Sequence, residues 1–128
     1  MMIIVPAYAV IFAAFFILLS ARTIRARRSA KIAIGTGGDK ILERASRVHA
    51  NFAEYVPFTL LLIAFAELRG LPAFIIHLLC LALLTGRVIH AWGVSKTVEN
   101  FRFRITGMMF TLNTIGAAAL CILASYFV

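Results

Sequence analysis

Four long apolar stretches, separated by short polar or basic segments, make up almost the whole chain. The first stretch runs from Ile3 to Ala21 without a charged residue. Because ~20 helical residues are needed to cross the hydrocarbon core of a membrane, this stretch predicts a transmembrane helix. The pattern as a whole predicts an all-α membrane protein with four transmembrane helices, in one domain over residues 1–128. The predicted helices cover about residues 3–25, 40–68, 73–94 and 103–127.

The second predicted helix carries a stripe of polar side chains at a depth where hydrocarbon is expected. Arg47, Asn51 and Glu54 are spaced i, i+4 and i+7, so they share one helix face, and Glu43 extends that face by one turn. Too few apolar residues follow Tyr55 to cross a membrane by themselves, so the span must include residues upstream. A polar group at that depth is energetically costly, so by default it indicates a functional site in which the group has a partner. The competing interpretation is a charge cluster that only sets the depth of the helix.

The composition is that of a membrane protein, and the distribution of charge argues against one class of partner. The chain is 62% hydrophobic, with a mean hydropathy of +0.97, which is too apolar for a soluble domain of 128 residues. The net charge of +8 lies beside apolar spans rather than on a polar surface with interleaved aromatic residues, which argues against nucleic-acid binding. All but Arg69 of the 13 lysines and arginines lie near the first and third loops, so the positive-inside rule places those loops in the cytoplasm.

The histidines and cysteines do not predict a metal site. His49, His77 and His90 have no ligand spacing with one another or with the cysteines. Cys80 and Cys121 each lie in an apolar segment, which predicts free, buried thiols. His77 is interpreted as a packed or interfacial histidine.

More polar residues fall at the same end of the predicted bundle as the polar stripe. Arg87 and His90 lie near the end of the third helix, at i and i+3, and Arg102 and Arg104 lie at the start of the fourth, after a loop that contains Glu99. Arginine can clamp carboxylates, an acid can take an amine, and asparagine can pair with an amide. A small zwitterionic peptide would satisfy all three, and nearby cations would lower the pKa of a bound thiol.

The fourth helix also has polar residues within its apolar stretch. Polar groups in hydrocarbon usually face other helices, so these residues are predicted to lie inside the bundle. They are Thr106, Thr111, Asn113 and Thr114.

Several motifs resemble the MAPEG family, the membrane-associated proteins in eicosanoid and glutathione metabolism. This family includes microsomal glutathione transferases, leukotriene-C synthase, microsomal prostaglandin E synthase and many bacterial relatives. Segments 24–28, 86–90 and 104–107 resemble the family's first-, third- and fourth-helix motifs. The family's second-helix signature is similar to the run Arg47-x-His49-x-Asn51-x-x-Glu54-Tyr55-x-Pro57 of this chain.

The resemblance implies a four-helix protomer, a homotrimer, and glutathione bound between protomers near the cytoplasmic face of a bacterial inner membrane. Arg104 would stabilise the glutathione thiolate, with Arg102 as the alternative because the third loop differs in length. The thiolate would attack lipophilic electrophiles that enter from the bilayer, and reduction of lipid hydroperoxides is a related reaction. The residues implied to bind glutathione are Arg28 (or Arg27), Arg47, Asn51, Glu54, Tyr55, Arg87 and His90.

One position departs from the family's pattern and keeps other functions open. Several family members have a tyrosine two turns after the third-helix arginine, and Val94 stands there in this chain. Loss of that hydroxyl motivates a second hypothesis, a non-catalytic lipid- or partner-binding protein, because the family includes a lipoxygenase-activating protein. A small cation-drug transporter is a third hypothesis. Such transporters typically carry their essential acid in the first helix, and the first span here has no acidic residue.

Overall fold

The computed structural model describes residues 2–96, 98 and 100–127, and these residues contain four α-helices and no strand. Each helix is long and apolar enough to cross a membrane, which confirms the predicted all-helical, four-span fold class. Glu99, in the predicted third loop, lies outside the described residues. The helices are α1 (Ile4–Ala30), α2 (Lys40–Leu68), α3 (Ala73–Ser95) and α4 (Phe101–Ala124).

Capping chemistry decides where the helices begin and end. Asp39 caps α2 by accepting a hydrogen bond from the Leu42 N–H at 2.8 Å, so this helix begins at the predicted residue. Asn100 caps α4 in the same way, and α4 therefore begins two residues earlier than predicted. Helix α1 continues to residue 30 instead of about 25, because Arg27 and Arg28 lie in its last turn, where cations are favoured by the helix dipole.

The buried face of α2 packs against α1 and α3 through apolar side chains. Buried residues recur along α2 every three or four positions, from Leu42 to Ala66, which places them on one face of the helix. Phe52 from this face meets α1, with its ring centroid 5.1 Å from that of Phe15 and 6.2 Å from that of Phe12. Burial of this face leaves the polar stripe of α2 turned away from α1.

Helices α3 and α4 approach each other closely at a pair of glycines. A Cβ atom on Gly107 would lie only 2.7 Å from the Gly86 carbonyl oxygen and 2.7 Å from the His90 Cβ atom. Glycine, which has no Cβ, allows this contact between helix backbones. The contact presses the last turns of α3, with Arg87 and His90, against the first turns of α4.

One end of the bundle, which we call the closed end, is tied together by Glu67 near the end of α2. Its carboxylate accepts hydrogen bonds from the backbone N–H groups of Ile3, Ile4 and Val5, at 2.7, 2.6 and 2.8 Å. These are orphan donors of the first turn of α1, and a negative charge is favoured at the positive end of a helix dipole. Glu67 therefore caps a helix that lies more than sixty residues away in sequence.

Two further contacts hold the closed end. Arg69 donates hydrogen bonds to the Ser125 hydroxyl at 3.0 Å and to the Ser125 carbonyl oxygen at 2.6 Å. The Tyr8 hydroxyl and His77 Nδ1 are 3.1 Å apart, and their rings meet edge to face. His77 is exposed but joins α3 to α1 through this contact, which fits its interpretation as a packed or interfacial histidine.

Candidate functional site

The opposite end of the bundle, which we call the open end, holds a cavity between α2, α3 and α4. Arg22 of α1 donates a hydrogen bond to Ser95, and Arg44 of α2 donates one to the Val94 carbonyl oxygen at 3.1 Å, so α1 and α2 are both linked to the end of α3 here. The cavity has a volume of about 500 Å³. Sites for small molecules typically have volumes of roughly 300–1,000 Å³. It is lined by Lys40, Glu43, Arg44, Arg47, Ala50, Asn51, Glu54, His90, Val94 and Arg104.

The polar stripe of α2 forms one wall of this cavity. Arg47, Asn51 and Glu54 all line it, and Glu43 lines it one turn earlier. The stripe follows from the sequence, because the apolar positions of α2 alternate with these residues around the helix and are taken up by the core. The side chains predicted to share a face therefore also share a single opening.

The facing wall comes from α3 and α4. His90 lines the cavity although only 5% of its surface is exposed, because the Gly107 backbone packs directly over it. Arg104 lies in the first turn of α4 and also lines the cavity. Val94, two turns after Arg87, lines the cavity with an aliphatic side chain.

The charges of the wall favour an anionic ligand. The ionisable groups at its surface are four basic side chains and two acidic ones, leaving two positive charges in excess with histidine neutral. Charge interactions are stronger near apolar protein and lipid than in bulk water. A ligand with more acidic than basic groups is therefore favoured. The basic residues are Lys40, Arg44, Arg47 and Arg104, and the acidic residues are Glu43 and Glu54.

Arg87 lies behind the cavity wall rather than in it. Only 1% of its surface is exposed. Its Nη1 donates to Asn51 Oδ1 at 2.6 Å, and its Nη2 donates to Thr111 Oγ1 at 2.5 Å and to the Gly107 carbonyl oxygen at 3.3 Å. Its Cζ lies 6.0 Å from the centroid of the half-buried Tyr55 ring. Arg87 thereby connects all three helices that surround the cavity.

The remaining predicted site residues lie away from the cavity. Arg28 is exposed on the last turn of α1, and Arg102 is exposed on the first turn of α4; neither lines the cavity. Arg27 donates hydrogen bonds to the carbonyl oxygens of Ala33 and Gly35, at 3.3 and 2.8 Å, and so holds the first loop. Of the residues implied by the resemblance, the cavity brings together Arg47, Asn51, Glu54, His90 and Arg104.

His49, the histidine of the second-helix motif, has a packing contact with α1. Its Nε2 is 3.0 Å from the Ser20 hydroxyl, and its ring stacks on Phe16 with a centroid distance of 4.8 Å. It therefore helps to hold α1 against α2, on the side of α2 away from the cavity.

Sequence reasoning missed some residues and misplaced others. Arg44 was not assigned to the site, although it lies three residues before Arg47 and helical spacing could have found it. On α4, Thr111 and Thr114 are buried as predicted, but Thr106 and Asn113 are exposed. The latter pair, together with Thr114, lines an apolar groove between α3 and α4. Four polar residues spread over two faces of a helix, so they could not all face one neighbour.

The described residues contain no cluster of histidine, cysteine, aspartate and glutamate that could hold a metal ion. Cys80 is a buried free thiol, and Cys121 is a half-buried one.

Most of the chain is similar to known proteins. The sequence model of the MAPEG family matches residues 5–124. The curated Inner membrane protein YecN, from two strains of Escherichia coli, is 35% identical over 104 residues, which cover 81% of this chain and 78% of YecN.

Proposed function

The chain belongs to the MAPEG family, and from this premise we propose that it is a membrane-bound glutathione transferase. The observation that carries the proposal is the open-end cavity, in which Asn51 and Glu54 of α2 face His90 of α3 and Arg104 of α4. The four apolar helices and the similarity to an inner membrane protein support a multi-pass protein of the inner membrane.

The chemistry of glutathione fits the residues of this cavity. Glutathione has two carboxylates, one ammonium group and a thiol, so it carries one net negative charge, or two as the thiolate. The wall carries the opposite excess of two charges. Basic side chains such as Arg47 would bind the carboxylates, Glu54 would bind the ammonium group, and Asn51 would bind a polar group of the peptide.

Arg104 is the residue that we propose to stabilise the thiolate. It lines the cavity from the first turn of α4, where the helix dipole is also positive, and both charges favour the ionised form of a bound thiol. The thiol proton leaves to water, the sulfur forms a bond to an electrophilic carbon, and the leaving group departs with its bonding electron pair. A lipophilic electrophile would reach the sulfur from the bilayer.

The proposal includes a homotrimer with the glutathione sites on the cytoplasmic side. Arg28 and Arg102 are exposed in the isolated protomer, which leaves them available to a neighbouring copy. The concentration of basic residues at the open end supports a cytoplasmic orientation of this end.

The test measures glutathione thiolate absorbance and conjugation of a chlorodinitrobenzene by the purified protein. We expect Arg104→Ala to lower the conjugation rate about 100-fold, the scale for removing one group that stabilises an anion. Arg25→Ala, an exposed arginine of α1 outside the cavity, is the matched control and should retain the wild-type rate. Arg102→Ala decides between the two candidate arginines. Absence of binding at millimolar glutathione would reject the glutathione transferase proposal. Wild-type activity of the Arg102→Ala/Arg104→Ala double variant would also reject it.

The same site would support reduction of lipid hydroperoxides. The thiolate attacks the peroxide oxygen, an alcohol leaves, and a second glutathione resolves the sulfenic acid to glutathione disulfide and water. Two thiols are oxidised for each hydroperoxide reduced. Measured formation of glutathione disulfide from a fatty-acid hydroperoxide, dependent on Arg104, would establish this reaction.

A non-catalytic lipid-binding protein is the second candidate, and two observations favour it. Val94 offers no hydroxyl to the cavity, and an apolar groove of about 630 Å³ lies between α3 and α4. This candidate predicts a lipid that copurifies with the protein, together with a thermal stability that glutathione does not change. Stabilisation by glutathione would exclude it.

A further inference from the structure

Arg87 is buried without an anionic partner among the described residues. Its guanidinium donates to an amide oxygen of Asn51, a hydroxyl of Thr111, the carbonyl oxygen of Gly107 and the sulfur of Met108. All four acceptors are neutral, and the buried Nε has no hydrogen-bond partner among the described residues, so the positive charge is only partly hydrogen-bonded and is not compensated. A buried charge of this kind favours an anion nearby. Asn51 separates Arg87 from the cavity, where such an anion could bind.

The contact with Arg87 fixes which way the Asn51 amide points. A guanidinium has only donors, so the Asn51 atom that faces it at 2.6 Å must be the oxygen. The amide nitrogen, with its two N–H donors, is then turned to the other side of the group. Because Asn51 also lines the cavity, it offers a ligand hydrogen-bond donors rather than an acceptor.

Thr111 on α4 fixes Arg87 in turn. Its hydroxyl is fully buried, accepts a hydrogen bond from Arg87 Nη2 at 2.5 Å and donates one to the Gly107 carbonyl oxygen at 3.0 Å. The hydroxyl hydrogen is thereby used within α4, and the oxygen lone pairs face the guanidinium. Thr111 lines no part of the cavity, so any effect it has on a ligand is indirect, through Arg87 or through the Gly107 backbone that packs on His90.

We propose that Arg87 is a positioning residue, held by Thr111, that turns the Asn51 N–H donors into the cavity, where they bind a carboxylate oxygen of glutathione. This inference rests on the proposed function and deepens it, because it assigns Asn51 an anionic oxygen as its ligand atom. It also replaces direct contact between Arg87 and glutathione with an action through Asn51.

The experiment is a double-mutant cycle on glutathione binding by the full-length protein in detergent. Thr111→Val removes one of the four acceptors of Arg87, and we expect it to raise the glutathione dissociation constant about tenfold, the scale of one lost hydrogen bond to a charged group. Asn51→Ala should raise it at least as much. In the Asn51→Ala background, Thr111→Val should have no further effect, since its influence passes through Asn51.

Two matched variants separate positioning from general destabilisation. Thr111→Ser keeps the hydroxyl and should restore wild-type binding. Thr114→Val makes the same change at a buried threonine one turn later, whose hydroxyl donates to the Phe110 carbonyl oxygen at 2.7 Å, and should leave binding unchanged. At saturating glutathione, Thr111→Val should retain the wild-type kcat while its KM for glutathione rises.

Glutathione derivatives with one carboxylate amidated identify the ligand atom. Asn51→Ala should weaken the binding of one singly amidated derivative about tenfold, as it does for glutathione itself. It should have little effect on the other derivative, in which the carboxylate bound by Asn51 has already been replaced by an amide. Asn51→Asp keeps an acceptor for Arg87 but offers the ligand no donor, so it should stay folded and lose glutathione binding.

The possible results distinguish the inference from the proposed function. A wild-type protein that does not bind glutathione overturns both. Binding by the wild type, combined with additive effects of Thr111→Val and Asn51→Ala, overturns only the positioning role. An equal loss of affinity for both amidated derivatives on Asn51→Ala overturns the assignment of a carboxylate to Asn51.

Discussion

The closed end and the open end of the bundle both carry charged side chains, but these side chains meet different partners. At the closed end, Glu67 is satisfied by three backbone N–H groups and Arg69 by Ser125. At the open end, Glu54 and Arg104 line a cavity. An acidic residue near a membrane boundary is therefore not evidence of a site by itself. The space in front of its carboxylate decides between a structural and a binding role.

The α3–α4 contact is the feature on which the open end depends most. Gly107→Ala would push a methyl group into the Gly86 carbonyl oxygen and His90, so the two helices must separate. We expect the stability in detergent to fall by about 3 kcal/mol and glutathione binding to be lost.

Gly116→Ala is the matched control for this change. A Cβ on Gly116 meets nothing within 4 Å, so the variant should unfold at the wild-type temperature or slightly above. Equal stabilities of Gly107→Ala and Gly116→Ala in a thermal unfolding experiment would contradict the close packing of α3 on α4.

Glu67→Gln tests the closed end alone. The amide can accept fewer and weaker hydrogen bonds from the first turn of α1, and we expect the stability to fall by about 2 kcal/mol. Glutathione affinity should stay at the wild-type value, because Glu67 and the cavity lie at opposite ends of α2. Calorimetric titration of the variant checks this, and a large loss of affinity would show that the two ends are coupled.

Glu54→Gln is the corresponding change at the open end. It removes the proposed partner of the glutathione ammonium group, so the dissociation constant should rise about tenfold. The unfolding temperature without ligand should not fall, since Glu54 is an exposed residue facing a cavity. A variant that is destabilised but binds glutathione normally would assign Glu54 a structural role like that of Glu67.

Tyr8→Phe is the smallest change proposed. It removes the hydroxyl that meets His77 at 3.1 Å, and we expect a loss of about 1 kcal/mol without any change in activity. Tyr126→Phe is its control, because Arg69 lies over the Tyr126 ring at 4.2 Å and the substitution preserves that ring. Thermal unfolding in detergent should separate the two variants, and identical unfolding temperatures would show that the Tyr8 hydroxyl does not hold the closed end.

The sequence predicted the elements that depend on local pattern. Helix α2 and its polar stripe follow from apolar periodicity, and the structure places Arg47, Asn51 and Glu54 in one cavity as that periodicity indicates. The end of α1 and the start of α4 were misplaced by a few residues, because dipole and capping effects outweigh the end of the apolar run.

Contacts between distant segments could not be read from the pattern. Nothing local to Glu67 indicates that it caps α1, since its partners are 62 to 64 residues away. Arg87 was identified as a site residue from its motif, but its burial behind Asn51 depends on Thr111 of another helix. On α4, polarity alone could not separate the buried Thr111 from the exposed Asn113.

The cap supplied by Glu67 also sets an order of events during synthesis. The N–H groups of Ile3, Ile4 and Val5 precede Glu67 by 62 to 64 residues, so they can bond to its carboxylate only after α2 has been synthesised to its last turn. A nascent chain arrested before Glu67 would therefore lack this contact between α1 and α2.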